Sequence, residues 1–210
     1  MRFTKMQGCG NDYIYVNAME ERVESPGRLA KAVSDRHFGI GADGLIFARE
    51  SSLEGCRAFM HYINPDGTLA QMCGNGIRCL AKFLVDHGKV APEEDSIDIE
   101  TRAGVRTVRI GRAPDGSFQT ATVDMGVPEL DPERIPAKCA ANAVTAAGAP
   151  FVREAPLGTP WGDFAFTLVS MGNPHAVVFV EDTDRLELAK IGPKFEFHSV
   201  FPDRVNTEFV

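Results

Sequence analysis

Residues 70–84 read "AQMCGNGIRCLAKFL" and combine a cysteine, a glycine-rich turn and an apolar helical repeat. The apolar residues recur at a spacing that places them on one face of a helix, namely Ile77, Leu80, Ala81 and Leu84. Gly88 stands where a helix of this length would end. The stretch therefore predicts a helix of about three turns with a wide apolar face, against which the rest of a domain can pack.

Cys73 lies in the loop that enters this helix. Free backbone N–H groups and the positive end of the helix dipole favour a thiolate at such a position. Gly74, Asn75 and Gly76 leave the backbone open to an anion such as a carboxylate. One site can thus hold a carboxylate and place a thiolate near its α-carbon. The alternative is a structural cysteine, which is the commonest fate of a free thiol and the one we expect for Cys79.

Composition excludes several classes of function. The chain has 210 residues, 44% of them apolar, and a net charge of −7, which argues against a nucleic-acid partner. We find no apolar run long enough to cross a membrane and no secretory signal at the start. The odd number of cysteines, five, favours a reducing cytoplasm, and the lack of a paired C-x-x-C spacing argues against structural zinc. We therefore expect a cytoplasmic protein with no bound metal.

The rest of the sequence predicts short strands, a strand pair within residues 2–18 and a second helix over 27–36. It also contains three weak internal matches that keep the same order in each half: 6–16 with 169–180, 28–33 with 185–192, and 42–48 with 205–210. The turn-forming stretch "APDGS" at 113–117 is the candidate linker. We therefore expect two similar halves, residues 1–117 and 118–210.

Four asparagines are candidate ligand contacts: Asn11, Asn64, Asn173 and Asn206. Asparagine is common in turns and caps, so each of them also has a purely structural interpretation. A pocket rich in amides would suit an amino acid, whose carboxylate and ammonium groups need donors and acceptors. His175 can tune a thiol or serve as an ordinary strand histidine. Cys9 fits either a turn or a site.

Several stretches together resemble the diaminopimelate epimerase family. They are "FTKMQGCGNDYIYVN", "FGIGADGLI", "NPDGTLAQMCGNGIRC", "VDMG", "VSMGNPHAVVFV" and "DRVNTEFV". The resemblance runs in order from the first residues to the last, and "MCGNGIRC" and "MGNPH" are its most specific motifs. The chain is identified on this basis as a member of the family.

The resemblance implies an α/β (α+β) fold of two similar halves related by pseudo-twofold symmetry. Each half is a mostly antiparallel sheet wrapped around a central helix, with the site in the cleft between the halves. The implied reaction interconverts LL- and meso-diaminopimelate, for lysine and peptidoglycan precursors, without pyridoxal phosphate or metal. One cysteine as thiolate removes the α-proton, and a second cysteine as thiol returns a proton on the opposite face.

The resemblance also assigns roles to residues. Cys73 matches one of the catalytic cysteines, and His175 matches the position thought to tune the thiol pair. Gly74 and Asn75 match the residues that hold the reacting carboxylate. The remaining substrate-contacting positions fall on Asn11, Asn64, Asn173 and Asn206. A homodimer is compatible with the resemblance, although no feature of the sequence argues for one.

Two departures from the family pattern stand out. Gly44 occupies a position where some members have glutamine, so any contact by that side chain is lost. The family's Cys-Gly-Thr-Gly stretch and the Glu-Arg pair before it do not occur in these 210 residues. The internal repeat likewise places the counterpart of the Cys73 helix past Val210. We therefore expect the second half to be incomplete, and the chain to be a fragment that does not invert its substrate.

Two other interpretations stay open. The first is a related cofactor-independent racemase, such as one resembling proline racemase, which a panel of substrates would distinguish. The second is a non-catalytic binding or redox protein that retains one reactive thiol. Titration of Cys73 with a thiol reagent, compared with turnover, would distinguish that case.

Overall fold

The computed structural model describes residues 1–160 and 162–210, and the chain divides into two compact units, Met1–Met125 and Gly126–Val210. The first unit contains β1 (Thr4–Gly8), β2 (Asn11–Asn17), α1 (Pro26–Ser34), β3 (Leu45–Arg49), β4 (Cys56–Ile63), α2 (Gly74–Asp86), β5 (Ser96–Thr101), β6 (Gly104–Arg112) and β7 (Phe118–Val123). The second contains β8 (Ala143–Val144), β9 (Pro150–Phe151), β10 (Ala155–Thr159), β11 (Gly162–Ser170), β12 (Pro174–Val178), α3 (Leu188–Glu196) and β13 (Asn206–Phe209). The predicted α/β class is confirmed.

The seven strands of the first unit form one sheet in sequential order. Neighbouring strands are antiparallel except for two parallel pairs, β2 with β3 and β4 with β5. Parallel neighbours need a crossover, and α1 and α2 provide the two crossovers. Helix α2 contacts both β1 and β7, which are the two edges of the sheet. The sheet therefore curls around α2, as expected for this half.

Side-chain alternation along β2 explains why the sheet carries a helix on each face. Tyr13 and Tyr15 belong to the hydrophobic cluster that contains the apolar face of α2. Ile14 and Val16 belong to the cluster on the opposite face, with residues of α1. All four side chains are at most 2% exposed. Both faces of β2 are therefore buried, and the two crossover helices provide the cover.

Helix α2 begins and ends where the sequence predicts. Cys73 is its N-cap residue, with extended backbone (φ −144°, ψ 119°). Gly88 follows the helix with φ +64°, and the next amide, that of Lys89, donates to the carbonyl of Leu84 at 2.9 Å. This left-handed glycine ends the helix and satisfies one of its last free carbonyls. The helix predicted over 27–36 is also confirmed, as α1.

The predicted strand pair near the start of the chain is confirmed as the β1–β2 hairpin. Its two connecting residues, Cys9 and Gly10, both have positive φ, +51° and +89°. Two consecutive residues of this kind characterise the tight turns that match the twist of antiparallel strands. Glycine adopts this conformation readily, whereas Cys9 is an unusual residue for it.

The interpretation of residues 113–117 as a linker is wrong. They form the turn between β6 and β7, in which the amide of Ala113 donates to the carbonyl of Ser117 at 2.9 Å. The proline, aspartate and glycine of this stretch mark a tight turn whether or not a domain ends there. The first compact unit continues through β7 to Met125. The division into epimerase halves at 117 and 118 stays a prediction.

The second unit repeats part of the first in its topology. Strands β11 and β12 are antiparallel, and β13 follows α3 and pairs in parallel with β12. This is the order found in β1, β2, α1 and β3. The three sequence matches fall on these corresponding elements. Weak similarities that keep a common order therefore identified a real structural repeat.

Helix α3 covers one face of the β10–β13 sheet. The ring of Phe195 from this helix packs edge-to-face with Phe164 of β11 and Phe209 of β13. Among the residues that the structure describes in this unit, α3 is the only α-helix. No helix in the described parts of the chain is both long and apolar enough to span a membrane.

A cluster of charged residues joins the start of β2 to the loop after α1. Asp12 forms ion pairs with two side chains: Lys5 Nζ lies 3.0 Å from its Oδ2, and Arg36 Nη2 lies 2.7 Å from its Oδ1. Arg36 Nη2 also lies 2.7 Å from Asp43 Oδ1. The hydrogen bond from Arg36 is the main cause that holds the pKa of Asp12 well below its usual range. The cluster fixes the N-terminal end of β2, where Asn11 lies.

Truncation of the central helix should destabilise the first unit. Leu80 is fully buried in the cluster between α2 and the sheet. We expect Leu80→Ala to lower the free energy of unfolding by about 2–5 kcal/mol, because it removes packed atoms and leaves a cavity. Urea unfolding followed by the tyrosine signal would measure this, since all three tyrosines lie in the first unit. Asp86→Ala, at the exposed end of the same helix, should cost about 0.5 kcal/mol or less. Equal effects of the two changes would contradict the packing described.

The charge cluster predicts a pH effect with a defined sign. Because the pKa of Asp12 is lowered in the folded state, its ionised form stabilises the fold above the ordinary pKa of 3.8. That contribution is lost as the pH falls toward the lowered value. Arg36→Gln should raise the pKa of Asp12 toward 3.8, and carboxyl NMR titration down to about pH 3 would detect the change. Arg28→Gln, at an exposed arginine of α1, is the control and should leave Asp12 unchanged.

Candidate active site

The thiol of Cys73 lies at the N-terminus of α2 with two hydrogen-bonding groups around it. The backbone N–H of Gly76 points to Sγ at 3.4 Å, as in an N-cap. The hydroxyl of Tyr13, from β2, lies 2.9 Å from the same sulfur. The side chain of Cys73 also packs against the main hydrophobic cluster of this unit. The thiol is therefore fixed in direction by a helix on one side and a strand on the other.

The phenols near Cys73 stay protonated at physiological pH. Burial, followed by the hydrogen bond to Cys73, raises the pKa of Tyr13 far above its usual value. Burial and then the charge of Cys73 likewise raise the pKa of Tyr62. A protonated phenol has a hydrogen to donate, so the Tyr13 hydroxyl donates to Sγ whenever the sulfur carries the negative charge.

Asn11 and Asn75, two predicted substrate contacts, are hydrogen-bonded to each other. The amide of Asn75 donates to Asn11 Oδ1 at 2.8 Å, and the amide of Asn11 donates to Asp43 Oδ2 at 3.0 Å. Arg78 Nη2 donates to Asn75 Oδ1 at 2.6 Å. Asp43 is itself held by Arg36. The two asparagines are thus oriented by charged groups at both ends of the chain of hydrogen bonds.

Two glycines at the start of α2, Gly74 and Gly76, differ in the space available for a side chain. A Cβ on Gly76 would lie 2.8 Å from Ile46 Cδ1 and 3.1 Å from Met60 Cε. Glycine there lets the first turn of the helix approach the sheet closely. A Cβ on Gly74 would meet only Met125, with Sδ at 3.5 Å, so packing does not require glycine at this position. The substrate-binding role expected for Gly74 stays a prediction.

The position of Gly44 explains the loss of a side chain there. A Cβ on Gly44 would lie 2.4 Å from Cε2 of Tyr62 and 2.9 Å from the carbonyl oxygen of Ile63. The ring of Tyr62 therefore occupies the space that a glutamine at residue 44 would need. It packs edge-to-face against Tyr13, with ring centres 5.9 Å apart.

Asn64 lies in the turn that follows β4. Its backbone amide donates to the carbonyl of Thr68 at 2.8 Å, and its side-chain amide donates to Thr68 Oγ1 at 3.1 Å. This is the structural role that asparagine commonly has in turns. The structure shows no direct contact of Asn64 with Cys73 or Asn11, so its substrate-binding role stays a prediction.

The candidate residues of the second unit gather at the beginning of β12 and β13. Nδ1 of His175 lies 2.7 Å from Glu208 Oε1, and its Nε2 lies 3.1 Å from Asn173 Oδ1. The side chain of Asn206 donates to the carbonyl of Pro174 at 3.1 Å. Asn173, Asn206 and Glu208 line an open cavity of about 800 Å³ whose wall residues all belong to this unit.

Sequence reasoning missed three side chains that shape these clusters. Tyr13 is two residues after Asn11, so strand alternation places both on one face of the sheet. Arg78 is four residues after Gly74, one helical turn away, and its Nη1 donates to the Gly74 carbonyl at 3.1 Å. Glu208 is two residues after Asn206 on β13. In each case the residue stands two or four positions after a residue of a motif that the sequence analysis had noted.

Two other cysteines of the first unit, Cys79 and Cys9, differ from Cys73. Cys79 is 6% exposed in the main hydrophobic cluster, and burial raises its pKa, which agrees with the structural role expected for it. Cys9 is exposed in the hairpin turn, where Arg78 Nη2 approaches its sulfur at 3.2 Å. Of these three thiols, Cys73 alone is the N-cap of a helix with a hydroxyl on its sulfur.

Comparison with known proteins identifies the family of this chain. The family model for diaminopimelate epimerase matches residues 3–130. The diaminopimelate epimerase of Desulfovibrio desulfuricans is 48% identical over 209 residues, and that of Acetivibrio thermocellus is 46% identical over 210 residues. Both alignments cover 100% of this chain and 70% of the relative.

Solved structures share the fold at much lower identity. A hydroxyproline epimerase from Agrobacterium vitis matches 85% of this chain with a TM-score of 0.60 and 15% identity. A phenazine biosynthesis protein of the PhzF family from Bacillus anthracis matches 87% with a TM-score of 0.54 and 21% identity. This chain spans 51% and 55% of the length of those two proteins. Identity above 40% along its whole length, together with the match of the family model, is decisive: the chain belongs to the diaminopimelate epimerase family.

Proposed function

We propose that this chain provides the Cys73 half of a diaminopimelate epimerase, which interconverts LL- and meso-diaminopimelate at one α-carbon. The observation that carries the proposal is the position of Cys73 Sγ, at a helix N-terminus with hydrogen-bond donors from Gly76 and Tyr13. The names of the relatives supply the substrate.

The substrate carboxylate would bind at the entrance of α2. Backbone N–H groups of the first helical turn lack partners within the helix and favour an anion. Gly74 and Asn75 occupy this turn, and Asn11 is hydrogen-bonded to Asn75. Binding there would place the α-carbon near Cys73. It would also stabilise the negative charge that spreads onto the carboxylate when the α-proton leaves.

Cys73 would act as the base on one face of the α-carbon. Its thiolate takes the α-proton and becomes a thiol, and the electron pair of the C–H bond remains on the substrate as a carbanion. Return of a proton from the same thiol restores the original configuration. Return from an acid on the opposite face inverts it. In the family that acid is a second cysteine, and its Cys-Gly-Thr-Gly stretch is not among these 210 residues.

The second unit contains the other polar residues to which the family resemblance assigns substrate contacts. Asn173 and Asn206 line the cavity of this unit, and His175 is held between Asn173 and Glu208. Amide groups suit the carboxylate and ammonium groups at the distal end of a diamino diacid. The tuning role of His175 in the thiol chemistry is proposed from the family resemblance alone.

The proposed reaction belongs to the synthesis of lysine and of peptidoglycan precursors in the cytoplasm. It needs a small amino-acid substrate and neither pyridoxal phosphate nor metal, because the thiolate, the helix N-terminus and the amides supply the base and the charge stabilisation. Nucleic-acid and membrane partners have no part in it.

Hydrogen exchange at the α-carbon tests the role of Cys73. In heavy water the 210-residue chain should replace the α-hydrogen of diaminopimelate with deuterium, which proton NMR follows directly. Cys73→Ala should abolish this exchange, because the base is lost. Cys56→Ala is the matched control, since this thiol lies at the start of β4, and it should exchange at the parent rate. Equal exchange by the parent and Cys73→Ala would contradict the proposal.

Inversion should be much slower than exchange in the same samples. Without a positioned acid on the opposite face, we expect inversion to lag exchange by a factor of about 10²–10⁴. Chiral chromatography of LL-diaminopimelate converted to the meso form would measure it. Inversion as fast as exchange would show that the 210 residues hold a second effective acid.

A further inference from the structure

The hydroxyl of Tyr13 is hydrogen-bonded to the Cys73 sulfur, and it is the donor whenever that sulfur is a thiolate. The two atoms are 2.9 Å apart, which is close for an interaction that involves sulfur. Tyr13 comes from β2, sixty positions earlier in the chain, and its ring is held by Tyr15 and Tyr62 in edge-to-face contacts. The hydroxyl is thus aimed at the sulfur by packing.

We infer that Tyr13 is a positioning residue of this site, whose hydroxyl holds the Cys73 sulfur in the thiolate form and directs it toward the substrate. The inference rests on the proposed function and extends it to a residue that contacts the base rather than the substrate.

The burial of Tyr13 determines where its hydroxyl finds a hydrogen-bond partner. Tyr13 is 2% exposed, so its hydroxyl must find a partner inside the protein, and the partner shown is Cys73 Sγ. The Gly76 amide, a second donor, points to the same sulfur. A thiolate accepts from both donors, whereas a thiol must also place its own hydrogen. The pair of donors therefore stabilises the thiolate over the thiol, and a charged acceptor strengthens each bond.

The other two tyrosines do not share this contact. The hydroxyl of Tyr15 donates to the carbonyl of Gly76 at 2.9 Å, and that of Tyr62 reaches the carbonyl of Asp43 at 3.4 Å. Tyr13 and Tyr15 are buried and Tyr62 is partly buried, and all three pack in the cluster that contains α2. They therefore form a natural control set, in which loss of the hydroxyl at residue 13 alone removes a donor from the sulfur.

The titratable groups around Cys73 come from three elements. Tyr13 and Tyr15 belong to β2, Tyr62 belongs to β4, and Cys79 lies on α2. Burial is the main cause that raises the pKa of each of them. These four are neutral at physiological pH, while Asp43, Arg78 and the exposed thiol of Cys9 lie in the same region, so each variant is compared with the parent in the same series of buffers.

The test is the pH dependence of alkylation of Cys73 by iodoacetamide, in which the thiolate displaces iodide. Trypsin releases residues 58–78 as one peptide, and Cys73 is its single cysteine, so mass spectrometry separates it from the other four. We expect Tyr13→Phe to move the midpoint of the alkylation profile upward by about one pH unit, because a hydrogen bond to a charged group is lost. Tyr15→Phe and Tyr62→Phe should keep the parent midpoint.

Two results would overturn the inference. One is a Tyr13→Phe midpoint equal to that of the parent. The other is an equal upward shift in all three variants, which would show a general effect of buried phenols. Should Tyr13→Phe fail to fold, difluorotyrosine placed at residue 13 decides the question. Its more acidic hydroxyl is a stronger donor and should lower the midpoint, and an unchanged midpoint would refute the inference.

Failure of this inference is distinguishable from failure of the proposed function. Alkylation needs no substrate, so its midpoint tests the contact between Tyr13 and Cys73 alone. Deuterium exchange on diaminopimelate tests the proposed reaction. If both hold, Tyr13→Phe should exchange up to about tenfold more slowly than the parent at pH values below both alkylation midpoints, in line with the smaller thiolate fraction there.

Discussion

The packing of α2 inside the curled sheet is the constraint on which the first unit depends. Its apolar face is wide enough to contact both edge strands, so the helix cannot turn or slide without exposing apolar surface. That packing fixes where the helix begins, and Cys73 is the residue at that point. The direction of the thiol is thus a consequence of hydrophobic burial, while its hydrogen bonds come from the few polar groups around it.

The polar groups of this site are ordered by charges placed outside it. Arg36 holds Asp43, Asp43 holds Asn11, and Asn11 accepts from Asn75. At the other end of this chain of hydrogen bonds, Arg78 of α2 donates to Asn75. Amide groups rotate easily, and a carboxylate or guanidinium at each end removes that freedom. Such an arrangement lets uncharged asparagines present fixed donors and acceptors at the start of α2.

Local periodicity was sufficient to predict the elements of the fold, but contacts between distant residues were not predictable in this way. The spacing of Leu80 and its neighbours predicted α2, and ordered weak matches predicted the repeat of β1, β2, α1 and β3. The turn at 113–117 was mistaken for a linker because a hairpin turn and a linker use the same residues. The contact of Tyr13 with Cys73 joins a strand to a helix, and only the pairing of elements in three dimensions reveals it.

The structural repeat places a second polar residue, His175, at the position that corresponds to Tyr13. Tyr13 and His175 each stand two residues after the asparagine of a Gly-Asn pair, on strands that pair in parallel with the strand after the next helix. Both side chains are polar groups held by hydrogen bonds at the same place in the repeated unit. The same backbone position thus carries a phenol in one unit and an imidazole in the other. A phenol with a raised pKa donates without giving up its proton, whereas an imidazole offers two ring nitrogens, which here contact Glu208 and Asn173. The repeated topology therefore provides two equivalent positions, and the residue at each decides which groups that position contacts.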